Sequence, residues 1–140
     1  MRAVVDTNVF VSAFLTPAGT CGRLLAAWVT GGFTLVLDQR IVLEYAKVLS
    51  EAKFGFDRSL AEGFIVRLAA EAEEITAPPA GIHLPDETDA KFVEVALAAS
   101  ADCVVTGNAR HFPAKACRGA RILTPAQFLA RLADEMPLLR

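Results

Sequence analysis

The sequence Ala3-Val4-Val5-Asp6-Thr7-Asn8 places a short apolar run directly before an acidic residue. Three further apolar runs of similar length occur at 34–37, 103–106 and 120–123. The run at 34–37 is also followed by an aspartate, Asp38. Continuous, mostly β-branched runs of this kind are typical of strands that are buried on both faces of a parallel sheet. We therefore expect the first run to be a buried strand that ends at Asp6.

Segments with helical periodicity separate these runs. Apolar residues at 41, 42, 45, 48 and 49 fall on one helical face, and those at 60, 64 and 68 repeat at every fourth position. Asp86 is expected to begin a further helix as its N-cap, and Pro125 to stand at the first position of the last helix. A short edge strand is expected at Glu74-Ile75.

The alternation of strands and helices predicts the fold class. Short connections between them favour a parallel sheet that is covered on both sides. We predict one α/β domain over residues 1–140, with three layers (α/β/α) and a parallel sheet of four to five strands in Rossmann-like topology. Ligands of such sheets bind beyond the carboxyl ends of the strands, where the strand order reverses. The segments 6–8 and 106–108 are therefore the first candidates for a functional site.

The composition is that of a folded, nearly neutral protein. Of the 140 residues, 54% are hydrophobic and 21% are charged, which excludes a disordered chain because enough apolar surface is present to offset the ordering entropy. Fourteen basic and sixteen acidic residues give a net charge of −2. This balance argues against a histone-like binder that depends on bulk positive charge. The high apolar content also indicates that a partner subunit covers part of the surface.

Neither a membrane segment nor a disulfide framework is expected. No apolar run approaches the roughly 20 residues that span a bilayer, and the acid at position 6 argues against a secretory signal. The three cysteines, at 21, 103 and 117, lack CxxC spacing, so a structural zinc site is not expected. We therefore expect a cytoplasmic location without membrane association.

Three acidic residues from separate elements are expected to meet at one end of the sheet, namely Asp6, Glu44 and Asp89. Each has a simple alternative explanation, because Asp6 could cap the next helix, Glu44 could be a solvated flank residue, and a helix dipole favours acids near 86–89. Together, however, they would repel one another unless a cation were bound. An all-oxygen ligand set suits Mg²⁺ or Mn²⁺ better than zinc.

Neighbouring polar residues are candidates for supporting roles. Asn8 and Thr106 are expected to orient the carboxylates or waters by hydrogen bonding, with ordinary turn chemistry as the alternative. Arg110 and His111 could contact a substrate phosphate, although a solvated loop is an equal alternative.

Four blocks of this sequence resemble the PIN-domain family of metal-dependent nucleases, many of which are similar to toxins of bacterial toxin–antitoxin pairs. The blocks are Val4-Val5-Asp6-Thr7-Asn8-Val9, Ile41-Val42-Leu43-Glu44-Tyr45, Asp86-Glu87-Thr88-Asp89-Ala90-Lys91-Phe92 and Ala101-Asp102-Cys103-Val104-Val105-Thr106-Gly107-Asn108. The resemblance covers nearly the whole chain in order and extends to the segment 124–129.

The resemblance implies a fold and an activity. It implies a PIN-like fold and a Mg²⁺- or Mn²⁺-dependent endoribonuclease that leaves a 3′-hydroxyl and a 5′-phosphate, with catalytic acids Asp6, Glu44 and Asp89. The same residues would hold the metal together with Asp86 and Asn108. It also implies a homodimer and a neutralising antitoxin protein as partners, with RNA as the substrate.

One position departs from the family pattern. Many members carry an acid after the Thr-Gly pair, where this chain has Asn108, which offers a neutral oxygen and no charge. A catalytically weak or silent PIN-like domain that binds RNA or protein is therefore the alternative function. A phosphatase or phosphoacceptor domain is disfavoured because no DxDxT motif follows the first run, and a Rossmann nucleotide binder because no GxGxxG follows it.

Overall fold

The computed structural model of this chain describes residues 1–51 and 54–135. The C-terminal Met136-Pro137-Leu138-Leu139 segment, and with it the end of the expected 1–140 domain, lies outside the described residues. Five parallel strands form one sheet: β1 (Arg2–Val5), β2 (Thr34–Leu37), β3 (Glu73–Glu74), β4 (Cys103–Val105) and β5 (Ile122–Leu123). Their order in the sheet is β3-β2-β1-β4-β5.

Six α-helices occur in the described part of the chain: α1 (Thr7–Leu15), α2 (Thr20–Val29), α3 (Gln39–Leu49), α4 (Arg58–Glu71), α5 (Ala90–Ala99) and α6 (Pro125–Glu135). These helices and the parallel sheet confirm the predicted PIN-like α/β fold. Short 3₁₀ turns at Glu87–Asp89 and Ala109–His111 flank the carboxyl end of the sheet.

Three local expectations need correction. The edge strand β3 is Glu73–Glu74, one residue earlier than expected, because a two-residue strand carries no periodic signal. Asp86 caps the 3₁₀ turn Glu87–Asp89 with its carboxylate, and α5 begins only at Ala90. Leu60 is 62% exposed although it lies at helical spacing from the buried Phe64, since it stands near the solvent-facing start of α4.

The core holds the site-bearing elements in fixed positions. Val4 and Val5 of β1 are completely buried, as a strand between two neighbours requires. Phe10 of α1 packs against Tyr45 of α3 and Phe64 of α4, with ring centroids 5.1 and 4.8 Å away. Aromatic contacts of this geometry add to the gain from burying the rings. The helices that follow β1 and β2 are therefore packed together beside the sheet.

The order of the strands reverses at β1. The chain runs from β1 to β2 on one side, and β4 is placed on the other side of β1. Such a reversal opens a crevice at the carboxyl ends of the two strands. Asp6 follows β1 and Thr106 follows β4, so both residues lie at this crevice.

Among the described residues, no single helix is long and apolar enough to cross a membrane. Helices α1 and α2 have sufficient length and apolar character only when taken together, and they are bent by 103° relative to each other.

Candidate active site

Asp6 lies at the end of β1 and is only 5% exposed. Its backbone N–H donates to the Val105 carbonyl at 2.9 Å, which continues the pairing of β1 with β4. Its carboxylate accepts a 2.8 Å hydrogen bond from Thr106 Oγ1. Although Asp6 stands at the N-cap position of α1, its side chain makes no cap hydrogen bond within the described residues. Capping of α1 therefore does not by itself explain this carboxylate, which bonds to Thr106 after β4.

The pKa of Asp6 is raised, mainly because burial disfavours its charged form. The hydrogen bond from Thr106 lowers the pKa, and so does the backbone N–H of Asn8. The charge of Glu44 raises it further. Asp6 is thus an acid whose ionisation depends on its neighbours.

Glu44 projects from α3 toward the same crevice and is partly buried, with 26% of its side chain exposed. Its Oε2 accepts a hydrogen bond from Thr7 Oγ1, and its Oε1 lies 2.7 Å from Lys91 Nζ. The solvated-flank explanation for Glu44 is therefore wrong, since both of its oxygens contact residues of other elements.

Helix α3 is fixed to the end of β1 by buried polar contacts. The hydroxyl of Tyr45, which is fully buried, donates to the Val5 carbonyl next to Asp6. Burial raises the pKa of Tyr45 well above its usual value, so the hydroxyl keeps its proton. At the start of α3, the carboxylate of Asp38 accepts from the Ile41 N–H at 3.1 Å. These contacts place Glu44 beside the residues that follow β1.

Asp89 ends the 3₁₀ turn before α5, and its side chain is 14% exposed. Burial raises its pKa to about 6, and the charges of Asp6, Asp86 and Glu44 raise it as well. These effects place Asp89 in one electrostatic environment with the other three carboxylates. Asp86 lies nearby but is exposed, and hydrogen bonds from the hydroxyl and N–H of Thr88 lower its pKa.

Residues after β4 complete the crevice. The Asn108 N–H donates to Thr106 Oγ1 at 3.0 Å, so the same hydroxyl that donates to Asp6 accepts from the backbone. The Asn108 side-chain nitrogen lies 3.2 Å from His111 Nδ1, which in turn lies 3.8 Å from Asp89 Oδ2. The position that holds an acid in many family members is therefore linked to Asp89 through a histidine.

The structure brings together most of the residues that the sequence singled out. Its central group consists of Asp6, Glu44 and Asp89, with Asp86, Thr106, Asn108 and His111 around them. Two further expected residues, Asn8 and Arg110, are exposed and are not enclosed with the carboxylates. The catalytic and substrate-binding roles of all these residues remain predictions.

Two residues of the site were not assigned a role from the sequence. Thr7 binds Glu44 directly, and Lys91 forms the ion pair with it. Thr7 belongs to the Asp-Thr-Asn block, whose middle hydroxyl could have been suspected. Lys91 is the one basic residue in the acidic block Asp86–Phe92. A positive charge among three acids is the sequence signal that could have indicated an ion pair at the site.

A divalent cation fits the chemistry of these donors. The group offers carboxylate oxygens, and the raised pKa values of Asp6 and Asp89 reflect burial and mutual repulsion that a cation would relieve. Within residues 1–51 and 54–135, no group of three or more His, Cys, Asp or Glu side chains has an arrangement that could hold a metal ion. The expected metal ligands therefore remain a prediction, with Glu44 paired to Lys91.

A family model described as the PIN domain matches residues 2–110 of the 140. The matched range contains the ends of β1 and β4 and all the acidic residues of the crevice. No curated protein matches the chain.

Proposed function

The chain belongs to the PIN-domain family, and from this premise we propose that it is a divalent-metal-dependent endoribonuclease. PIN domains are generally nucleases and typically use divalent metals. Beyond these general properties of the family, we propose RNA as the substrate of this protein and Mg²⁺ or Mn²⁺ as its metal ion.

One observation carries the proposal: acids from three distant elements interact at the crevice where the strand order reverses. Asp6 follows β1, Glu44 lies on α3 and Asp89 precedes α5. Yet the charge of Glu44 raises the pKa of Asp6, and the charges of Asp6 and Glu44 both raise the pKa of Asp89. We infer that these three side chains hold the metal. Asp86, whose charge acts on Asp89, and Asn108, whose N–H donates to Thr106, would complete its surroundings, the first with a charge and the second with a neutral amide.

The chain's own residues prepare this site. When bound, the ion would lower the pKa of a water molecule and stabilise charge on a phosphodiester. Thr106 and Thr7 hold the carboxylates of Asp6 and Glu44 in place by hydrogen bonds. Tyr45 keeps α3 at a fixed distance from β1. These contacts fix the end of β1 and helix α3 relative to each other before substrate and ion arrive.

RNA would be guided by local positive charge, because the protein as a whole carries a net charge of −2. Arg110 is exposed, and His111 has 44% of its side chain exposed beside Asp89. We infer that these two residues contact substrate phosphates next to the acidic crevice. Binding through such contacts should weaken as the salt concentration rises.

We further propose that the protein acts in the cytoplasm as the toxin of a toxin–antitoxin pair, as a homodimer that a cognate antitoxin protein neutralises. The family resemblance supports these roles. Large apolar side chains that are more than half exposed on α1, α3 and α4 support protein partners: Leu15, Leu43, Leu60 and Val66. Light scattering of the purified protein should give the mass of two chains, and a monomer would contradict the homodimer. Expression in bacteria should arrest growth, and Asp6→Asn should abolish the arrest.

The decisive experiment measures cleavage of single-stranded RNA by the purified protein. We expect cleavage with Mn²⁺ or Mg²⁺, none with EDTA, and a loss of at least about a hundredfold in Asp6→Asn. Glu62→Gln, an exposed acid on α4, is the matched control and should behave as wild type. Cleavage that persists in EDTA, or in Asp6→Asn, would contradict the proposal.

The alternative function rests on Asn108, whose amide stands where many relatives carry an acid. If the protein binds RNA but leaves it intact at every metal concentration tested, it is a silent PIN-like binding domain. Equal RNA binding by wild type and Asp6→Asn would strengthen that conclusion.

A further inference from the structure

We propose that Lys91 is a built-in counter-cation of the acidic site, which a divalent metal must displace from Glu44 in order to bind. The inference rests on the proposed metal-dependent function and concerns how that site is controlled. Lys91 lies in the first turn of α5, two residues after Asp89.

The geometry around Lys91 is that of a held cation. Its Nζ lies 2.7 Å from Glu44 Oε1, and its side chain is only 11% exposed. The same ammonium donates to the Thr88 carbonyl and stands 4.9 Å from the centre of the Phe92 ring. Lysine usually keeps its ammonium in water, so this enclosed position depends on the acidic charge around it.

The ammonium acts on the whole acidic group. Its charge lowers the pKa of Asp6, of Asp86 and of Asp89, in addition to pairing with Glu44. A positive charge so placed does part of what a metal ion would do, because it offsets repulsion among the carboxylates. Lys91 thereby stabilises the folded protein while no metal is bound.

The same contact opposes metal binding. Both oxygens of Glu44 already have partners, Thr7 on Oε2 and Lys91 on Oε1. A dication bound at Glu44 would stand next to the ammonium, and the two like charges would repel each other strongly in a partly buried site. The flexible stem of lysine allows Nζ to swing away, so the ion and the ammonium exchange places. This competition accounts for the lack of a ready-made metal group among the described side chains.

The test compares Mn²⁺ binding by wild type, Lys91→Met and Lys91→Arg, measured by calorimetry without RNA. We expect Lys91→Met to bind Mn²⁺ at least about tenfold more tightly, because a competing unit charge a few ångströms away is removed. Lys91→Arg, which keeps the charge, should stay within about threefold of wild type. Lys115→Met, at an exposed position, is the control for loss of a lysine elsewhere. In metal-free buffer Lys91→Met should melt at a lower temperature than wild type.

The outcomes separate this inference from the proposed function. If wild type binds Mn²⁺ and Lys91→Met binds it no more tightly, the role of Lys91 is refuted and the metal-dependent function stands. If neither protein binds Mn²⁺, the metal-dependent function fails and the inference falls with it. Binding by Lys91→Met alone would support the inference in its strongest form. Lys91→Gln, which keeps a hydrogen-bond donor, replaces Lys91→Met if circular dichroism shows that the latter is unfolded.

Discussion

Thr106 Oγ1 donates a 2.8 Å hydrogen bond to Asp6 Oδ2 and so joins the ends of β4 and β1, although the two residues are 100 positions apart in the chain. The same hydroxyl accepts from the Asn108 N–H at 3.0 Å. Thr106 is completely buried. A single side chain therefore satisfies a buried carboxylate and a backbone donor at the switch point of the sheet.

Replacing Thr106 by valine should destabilise the protein. The shapes of the two side chains are similar, but valine leaves the carboxylate of Asp6 and the Asn108 N–H without their buried partner. We expect unfolding in urea at pH 7 to show a loss of about 1–3 kcal/mol. Thr106→Ser keeps the hydroxyl and should lose much less. Equal stability of Thr106→Val and wild type would show that this hydrogen bond contributes nothing.

Removing the charge of Asp89 should change how stability depends on pH. The pKa of Asp89 in the folded protein is about 6, above its ordinary 3.8, so the native state favours the protonated form. Ionisation therefore costs stability as the pH rises from about 4 through 6. In metal-free buffer Asp89→Asn should match wild type near pH 4 and exceed it by about 1–3 kcal/mol at pH 7.

Chemical denaturation at both pH values measures this difference, with Glu87→Gln as the control. Glu87 lies two residues away, and its side chain is 79% exposed. Its removal should leave the pH dependence of wild type intact. A constant difference between Asp89→Asn and wild type across the pH range would contradict the raised pKa.

Replacing Tyr45 by phenylalanine should loosen α3 from β1. Phenylalanine keeps the ring contact with Phe10 at 5.1 Å but removes the donor to the Val5 carbonyl. The unsatisfied buried carbonyl should cost about 1–2 kcal/mol in thermal or urea unfolding. Because α3 carries Glu44, RNA cleavage should also fall, by several-fold. An active, equally stable Tyr45→Phe would mean that packing alone positions Glu44.

Restoring an acid at position 108 should strengthen metal binding. Asn108→Asp adds a negative charge to the crevice while it keeps the backbone N–H that binds Thr106. We expect tighter Mn²⁺ binding in calorimetry and faster RNA cleavage. The metal-free protein should become less stable, because another carboxylate joins the repelling group. If Mn²⁺ affinity does not rise, residue 108 lies outside the metal surroundings.

Much of the fold could be predicted because its signals are local. Val4 and Val5 mark a strand buried on both faces, and the helical spacing of Ile41, Tyr45 and Leu49 marks the buried face of α3. Two features were harder to predict. The strand β3 has only two residues and therefore no periodicity to detect, and Leu60 fits the apolar spacing of α4 although it is 62% exposed.

The sequence by itself determined where β1 ends and that Asp6 follows it, and it singled out Glu44 and Asp89 as further candidates, because hydrophobic periodicity and the carboxyl-edge rule depend on residues close together in the chain. Only the tertiary structure decided what each acid contacts. The partners Thr106 of Asp6 and Lys91 of Glu44 are separated from them by long stretches of chain. Contacts between such distant residues follow from the way helices and strands pack, and the burial that this packing creates is the main cause that raises the pKa of Asp6 and of Asp89.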